Sequence, residues 1–162
     1  MNEDLWKIYE ANKEWIKFAD TKAIAFIAII GVIFNIFYGI CDELFSLKNA
    51  NNIKLLFIMG VVFLLISLVF SVISMFPRSS KVNKNIIYYK SVNDNFDSEE
   101  EYYNEIKISK NNLCKQLSYQ NYQLSVVATK KYRIVKCVLI TFVIGFVLST
   151  ICVLLFKIGV IF

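Results

Sequence analysis

The chain has 162 residues, a formal net charge of +5, one proline, no histidine, and 57% hydrophobic against 19% charged residues. This balance excludes disorder, which requires low hydrophobicity and high charge. With histidine go His-ligated zinc sites, Ser-His-Asp and Cys-His nucleophile systems, and His general bases. The four cysteines, Cys41, Cys114, Cys137 and Cys152, are widely spaced with no C-x-x-C pair. They point to neither a metal knuckle nor a disulfide framework, and no metal or other cofactor is expected.

Residues 2–22 read as an amphipathic helix. Leu5, Ile8, Tyr9, Ile16 and Ala19 recur at helical spacing, with Glu10, Lys13, Glu14 and Lys17 on the other sides. Three stretches without charge follow in the chain: 23–40, 55–76 and 137–156, of 18, 22 and 20 residues. A helix crosses a hydrocarbon core of ~30 Å with about 20 apolar residues, so each is a membrane span. Soluble helices show a polar face, whereas Val61 to Val69 offers only Ser67. Acidic residues ahead of the first apolar run and the absence of a cleavage-like pattern argue against a signal peptide.

Lysine and arginine set the expected sidedness. Four precede residue 23, two lie in 41–54, eleven in 77–136 and one in the tail. Cytoplasmic loops are enriched in these residues, which puts the N-terminus and the 77–136 segment inside and the 41–54 loop and 157–162 tail outside. The basic excess belongs to the cytoplasmic segment, where it also attracts anionic lipid. No nucleic-acid-binding motif accompanies it, so nucleic acid is not an expected partner.

Within that segment Pro77 marks a helix stop. Residues 85–90 read equally as a short helix or a strand, and 93–97 as a polar turn. Ser98 and Glu101 form a capping-box pair. From there a stripe at 103, 106, 110, 113, 117, 120, 124, 127, 131 and 134, flawed by Lys110, Gln120 and Lys131, predicts one long helix from Ser98 into the third span. At roughly 1.5 Å per residue such a helix is long enough to bend or break. The expected fold is thus an all-α membrane protein, a single domain of three transmembrane helices with an amphipathic N-terminal helix and a long cytoplasmic helix leading into the third span.

Each span carries a face of small or weakly polar residues: Ala28, Gly31, Asn35 and Gly39; Gly60, Ser67, Ser71 and Ser74; Thr141, Gly145, Ser149 and Cys152. Such faces support close helix packing in lipid. The plain reading is packing within one subunit; the functional one is that some faces join subunits or line a passage. No ionisable residue lies deep in a span, against a proton relay or an ion-coupled transporter. Nothing resembles a Gly-rich phosphate loop or a pair of catalytic carboxylates, so an enzyme is not expected.

The stretch Trp15-Ile16-Lys17-Phe18-Ala19-Asp20-Thr21-Lys22-Ala23 resembles the opening of the first span in the Pycsar effector transmembrane (PycTM) family. Trp15, Phe18, Ala19, Asp20, Thr21, Lys22 and Ala23 carry the most specific part of the likeness. Phe76-Pro77-Arg78, Ile87-Tyr88-Tyr89, Glu101-Tyr102, and Gln120 to Arg133 with Leu124-Ser125 and Lys131-Tyr132 extend it along the chain. The resemblance implies a bacterial inner-membrane effector of antiphage defence. A partner cyclase makes cyclic CMP or cyclic UMP, the effector responds, and loss of membrane integrity ends the infection abortively.

Such a ligand needs a cation for its phosphate, a stacking surface, and groups that read the base edge. The candidates are Lys22, Arg78, Lys130, Lys131 and Arg133 as cations, Tyr88 and Tyr132 as stacking partners, and Gln120 as a base reader, alongside Gln116, Asn121 and Gln123. The plainer readings are membrane-flanking charge and packing aromatics. A homo-oligomer whose packing changes on ligand binding is the expected mode of action. The alternatives are a nucleotide-gated ion pore and a non-catalytic adaptor that recruits a partner through the 98–136 helix.

Overall fold

The computed structural model describes residues 2–46, 51–76, 86–108 and 113–158. Their regular elements are all helices: α1 (Asn2–Ser46), α2 (Asn51–Met75), α3 (Tyr89–Asn95), α4 (Glu99–Ile108) and α5 (Leu113–Ile158). Among the described residues, α1, α2 and α5 are long and apolar enough to cross a membrane. The chain is an all-α membrane protein with three spanning helices.

The amphipathic N-terminal segment and the first span are one continuous helix of 45 residues, about twice what a single crossing needs. Glu3 and Asp4 lie in its first turn, where negative charge favours the helix dipole, and Glu3 pairs with Lys7 at 3.0 Å. The helix does not stop at residue 40. It takes in Cys41, Asp42 and Glu43 and ends at Ser46, whose hydroxyl donates to the Glu43 carbonyl at 2.7 Å. Lys54 donates to the Phe45 carbonyl at 3.1 Å, a basic group on the last turn. The expected 41–54 loop is therefore mostly helix, with residues 47–50, and Lys48 among them, outside the described set.

The connector corrects two further expectations. Residues 86–88 are irregular and the helix that follows starts at Tyr89, so 86–90 is neither one short helix nor a strand, and Asn85 lies outside the described residues. Residues 93–95 are helical, and the break falls at 96–98. Of the long helix expected from Ser98, α4 (to Ile108) and α5 (from Leu113) are described, and residues 109–112, on which its continuity depends, lie outside the described set. The capping box is formed with a one-residue offset. Glu101 N donates to the Ser98 hydroxyl at 3.2 Å, while the Glu101 carboxylate accepts from the Asp97 amide, not that of Ser98, at 3.1 Å. At the other end α5 takes in Lys157 and Ile158 of the expected tail. Pro77, Arg78, Lys81, Lys84, Lys110 and 159–162 lie outside the described residues.

Two compact units share the chain: residues 1–18 with 77–130, and residues 19–76 with 131–162. The border falls within both long helices. In the first unit, α1 and α5 are tied by Asn121, whose side-chain amide donates to the Leu5 carbonyl at 2.9 Å, while the Asn12 amide donates to the Asn121 carbonyl at 3.4 Å. Ile86 and Leu117 are buried. The Ile86 amide donates to Gln116 Oε1 at 3.1 Å, and its carbonyl accepts the Tyr102 hydroxyl at 2.8 Å. Tyr102 in turn meets Phe96 edge to face at 5.2 Å.

The second unit holds the three spans. Buried positions alternate by three and four on α2 (Ile53, Phe57, Gly60, Leu64, Ser67, Ser71, Ser74). They follow the same rhythm on α1 (Ala19, Ala23, Ile30, Ile33, Phe37, Leu44) and on α5 (Lys131, Val135, Val138, Gly145, Ser149, Cys152). That repeat is the seam of left-handed helix packing. Ile33, Phe37, Leu44, Ile53, Phe57, Leu64 and Cys152 form the core cluster, with Phe37 against Phe57 at 5.2 Å. Ser67 donates across to the Val138 carbonyl at 3.0 Å, whereas Ser71 and Ser149 return to carbonyls one turn back. The small faces of the second and third spans are thus internal seams. The face of the first span is not: Ala28, Gly31, Asn35 and Gly39 all point outward.

Helices α2 and α5 approach closely at Gly60 and Gly145. A Cβ added at Gly145 would lie 2.9 Å from the Gly60 carbonyl oxygen, the Leu64 backbone nitrogen and Leu64 Cγ. Backbone atoms cannot turn aside as a side chain can. Gly145→Ala should therefore destabilise by about 1–3 kcal/mol although alanine is the better helix former. The lipid-facing Val147→Ala should change stability by about 0.5 kcal/mol or less. Thermal unfolding in detergent reads both, and an unchanged midpoint for Gly145→Ala would contradict the contact.

Candidate functional site

The family-like stretch occupies the middle of α1. Trp15 and Phe18 are half exposed, as suits side chains in the headgroup region. Ala19 and Ala23 have no exposed surface. One turn apart, they form a flat, small surface on which another helix can lie close. Between them Asp20 turns to α5 and receives a hydrogen bond from the Lys131 ammonium. The Lys131 side chain is 5% exposed and that of Asp20 34%. Two turns of sequence logic converge here. Lys131 sits on the buried stripe of α5, so its charge requires a partner, and α1 supplies it at the residue beside the flat alanine patch.

Lys22 lies over the Tyr132 ring, 5.7 Å from its centroid, a cation–π contact next to the ion pair. Lys130 and Arg133 are exposed on either side of Lys131 and Tyr132. Of the candidate ligand residues, Lys22, Lys131, Tyr132 and Arg133 belong to the second unit, and Tyr88, Gln120 and Lys130 to the first. Arg78 lies outside the described residues. The structure brings Lys22 to Tyr132, and Lys131 to Asp20. Tyr88 is half-buried just ahead of α3.

A second feature lies in the first unit. Gln120 and Asn121 are buried, at 5% and 7% exposure, and both carry a buried carbonyl oxygen without a hydrogen-bond partner. One turn before them, Gln116 accepts the Ile86 amide; Ser91, also buried, accepts from the Asn95 amide at 3.2 Å. A buried acceptor without a donor costs about 1–3 kcal/mol. Gln120, which reads as a flaw in the apolar stripe of α5, is thus a desolvated acceptor held on a rigid helix. A hollow of about 320 Å³ on the outer face of α1 is lined by Glu10, Lys13, Glu14 and Lys17. Its charges balance, so it does not concentrate an anion.

The sequence singled out Asp20 only as part of the family-like stretch. Its pairing with Lys131 was legible from one signal, the heptad position of Lys131. Asn121, beside the predicted Gln120, is the anchor that joins α5 to α1.

These features define a class: an all-helical membrane protein whose first and third spans are clamped by an ion pair with a buried lysine, and which also carries a polar-cored helical unit. Residues 4–158 match the PycTM family, the Pycsar effector protein domain. The chain is 30% identical over 135 residues to the Pycsar effector protein SaPycTM of Staphylococcus aureus, covering 82% of each chain. No solved structure matches it. The chain belongs to the PycTM family of antiphage defence effectors.

The unequal burial of the pair sets an order for its variants. Asp20→Asn strands a buried ammonium and should cost about 3 kcal/mol. Lys131→Met removes the buried charge, keeps most of the aliphatic volume, and should cost clearly less. Adding Lys131→Met to Asp20→Asn should then recover stability. Thermal unfolding of the three variants tests this, and a double variant no more stable than Asp20→Asn alone would contradict it.

Proposed function

We propose that the chain is a multi-pass effector of the bacterial inner membrane that binds cyclic CMP or cyclic UMP made by a partner cyclase, and then impairs membrane integrity to end the infection abortively. The N-terminus and the 77–136 segment are cytoplasmic and the C-terminus external, in keeping with the excess of eleven lysines and arginines in that segment. The protein catalyses nothing itself; it converts a soluble signal into a change in how its helices pack.

The observation that carries this reading is the pair of unpartnered buried carbonyl oxygens of Gln120 and Asn121. A pyrimidine base presents a complementary donor, the exocyclic amine of cytosine or the ring N3–H of uracil. An acceptor that is already desolvated loses nothing more on meeting it, whereas a base without that donor leaves the acceptor unmet. Lys130, exposed on the same helix, is the candidate cation for the cyclic phosphate, and Tyr88 a candidate stacking surface. α5 carries Gln120 near its start and the third span near its end. A ligand that binds one packing of that helix better than another biases the population toward it.

Two measurements test the reading. Calorimetric titration of cyclic CMP and cyclic UMP into detergent-purified protein should give heat with one of them, and Gln120→Ala should weaken that binding about tenfold or more. Protein in liposomes should release a small entrapped dye on adding the same nucleotide. Heat with neither nucleotide would remove direct sensing. Selective ion flux without dye release would replace general disruption with a pore, and binding with neither leak would leave an adaptor.

A further inference from the structure

Four of the five glycines lie in the described spans, and they divide in two. Gly60 and Gly145 are accounted for, since any side chain there meets the facing helix. Gly31 and Gly39 are not: a Cβ at either would have nothing within 4 Å. Glycine in a helix interior is destabilising relative to alanine, and these two gain no such close contact from the described residues. Between them, one turn from each, stands Asn35. Its side chain is exposed on the outer face of α1, and it makes no hydrogen bond with any other described residue. Val32, Ile36 and Tyr38 around it are 62%, 58% and 83% exposed.

Exposure has an unusual meaning at this depth. Asn35 lies about 18 Å along the helix from Ala23, where the charge-free run begins, so what surrounds its amide is hydrocarbon. An amide there is as desolvated as one in a protein core, and lipid offers it neither donor nor acceptor. The glycine stripe and the stranded amide are independent facts, and both call for a protein surface against this face. The amide also restricts what that surface is. Asparagine carries a donor and an acceptor on one group, so two Asn35 side chains related by a two-fold axis satisfy each other. Glycines one turn before and after let the two backbones come close enough for the bond.

We propose that the Gly31–Asn35–Gly39 face of α1 is the interface at which two copies of this chain pair within the bilayer, joined by reciprocal Asn35 amide hydrogen bonds. This rests on the spanning helices alone and not on nucleotide binding, so its test needs no nucleotide. Copies labelled with donor or acceptor dyes are reconstituted together in phosphatidylethanolamine–phosphatidylglycerol liposomes, and energy transfer is followed as the protein is diluted in lipid. The full-length protein should associate. Asn35→Leu and Gly31→Leu should each weaken association about tenfold, Asn35→Gln should retain most of it, and Val62→Leu on the outer face of α2 should match the unaltered chain. Asn35→Leu should unfold at the same or a higher temperature in detergent, which separates lost pairing from lost folding. Association unchanged in Asn35→Leu, or an unaltered chain that stays monomeric at every dilution, would overturn the proposal. The latter would mean that something other than a second copy covers this face.

Discussion

Hydrocarbon returns no hydrogen bonds, and the arrangement of this chain follows from that constraint. A polar group carried into the bilayer is costly unless it finds a partner in protein, and most here do, the buried Ser74 hydroxyl being an exception. Ser71, Thr141, Ser149 and Thr150 return to carbonyls of the preceding turn, and Ser67 reaches the Val138 carbonyl across the seam. Once those groups are paired, little besides close packing holds three apolar helices together, because lipid tails are as apolar as the side chains. The contact of α2 and α5 through Gly60 and Gly145 leaves no room for a side chain.

The Asp20–Lys131 pair is the exception in strength. Two opposite charges meet where α1 and α5 enter their apolar stretches, with the lysine almost wholly buried. Ion pairs of this kind contribute little net stability but punish any arrangement that separates them. Here the pair fixes the register of α1 against α5 at one level, beside the fully buried Ala19 and Ala23. The residues that carry the likeness to the Pycsar effectors are largely those that build this junction, which gives the motif a structural meaning: a flat surface, a charge that fits it, and half-exposed aromatics one turn away.

The spans were legible because lack of charge over 18 or more residues admits few other readings. Helix ends were less so. Asp42 and Glu43 suggest a loop, yet α1 continues through them to Ser46, since charges outside the hydrocarbon do not oppose a helix. The stripe on α5 was read with the right rhythm but drifted by one residue: 128 and 135 are buried where 127 and 134 were expected. Gln120 and Lys131, its apparent flaws, are buried all the same. A polar residue at a buried heptad position signals a specific partner, and for Lys131 that partner is Asp20. For the first span, composition alone did not separate an internal seam from an outward face. Ala28, Gly31, Asn35 and Gly39 have the makings of either, and only the position of the buried stripe at 30, 33 and 37 decides it.

The claim beneath all of this is that lipid, not water, surrounds the outward apolar faces of α1, α2 and α5. Spin labels at Ile29, Val62 and Ile144, each exposed and apolar, report their surroundings through collisions with dissolved oxygen, which concentrates in hydrocarbon, or with a water-soluble nickel complex. In liposomes all three labels should be relaxed strongly by oxygen and hardly at all by nickel. Ready access of nickel to any of them would place that helix in water and contradict the account.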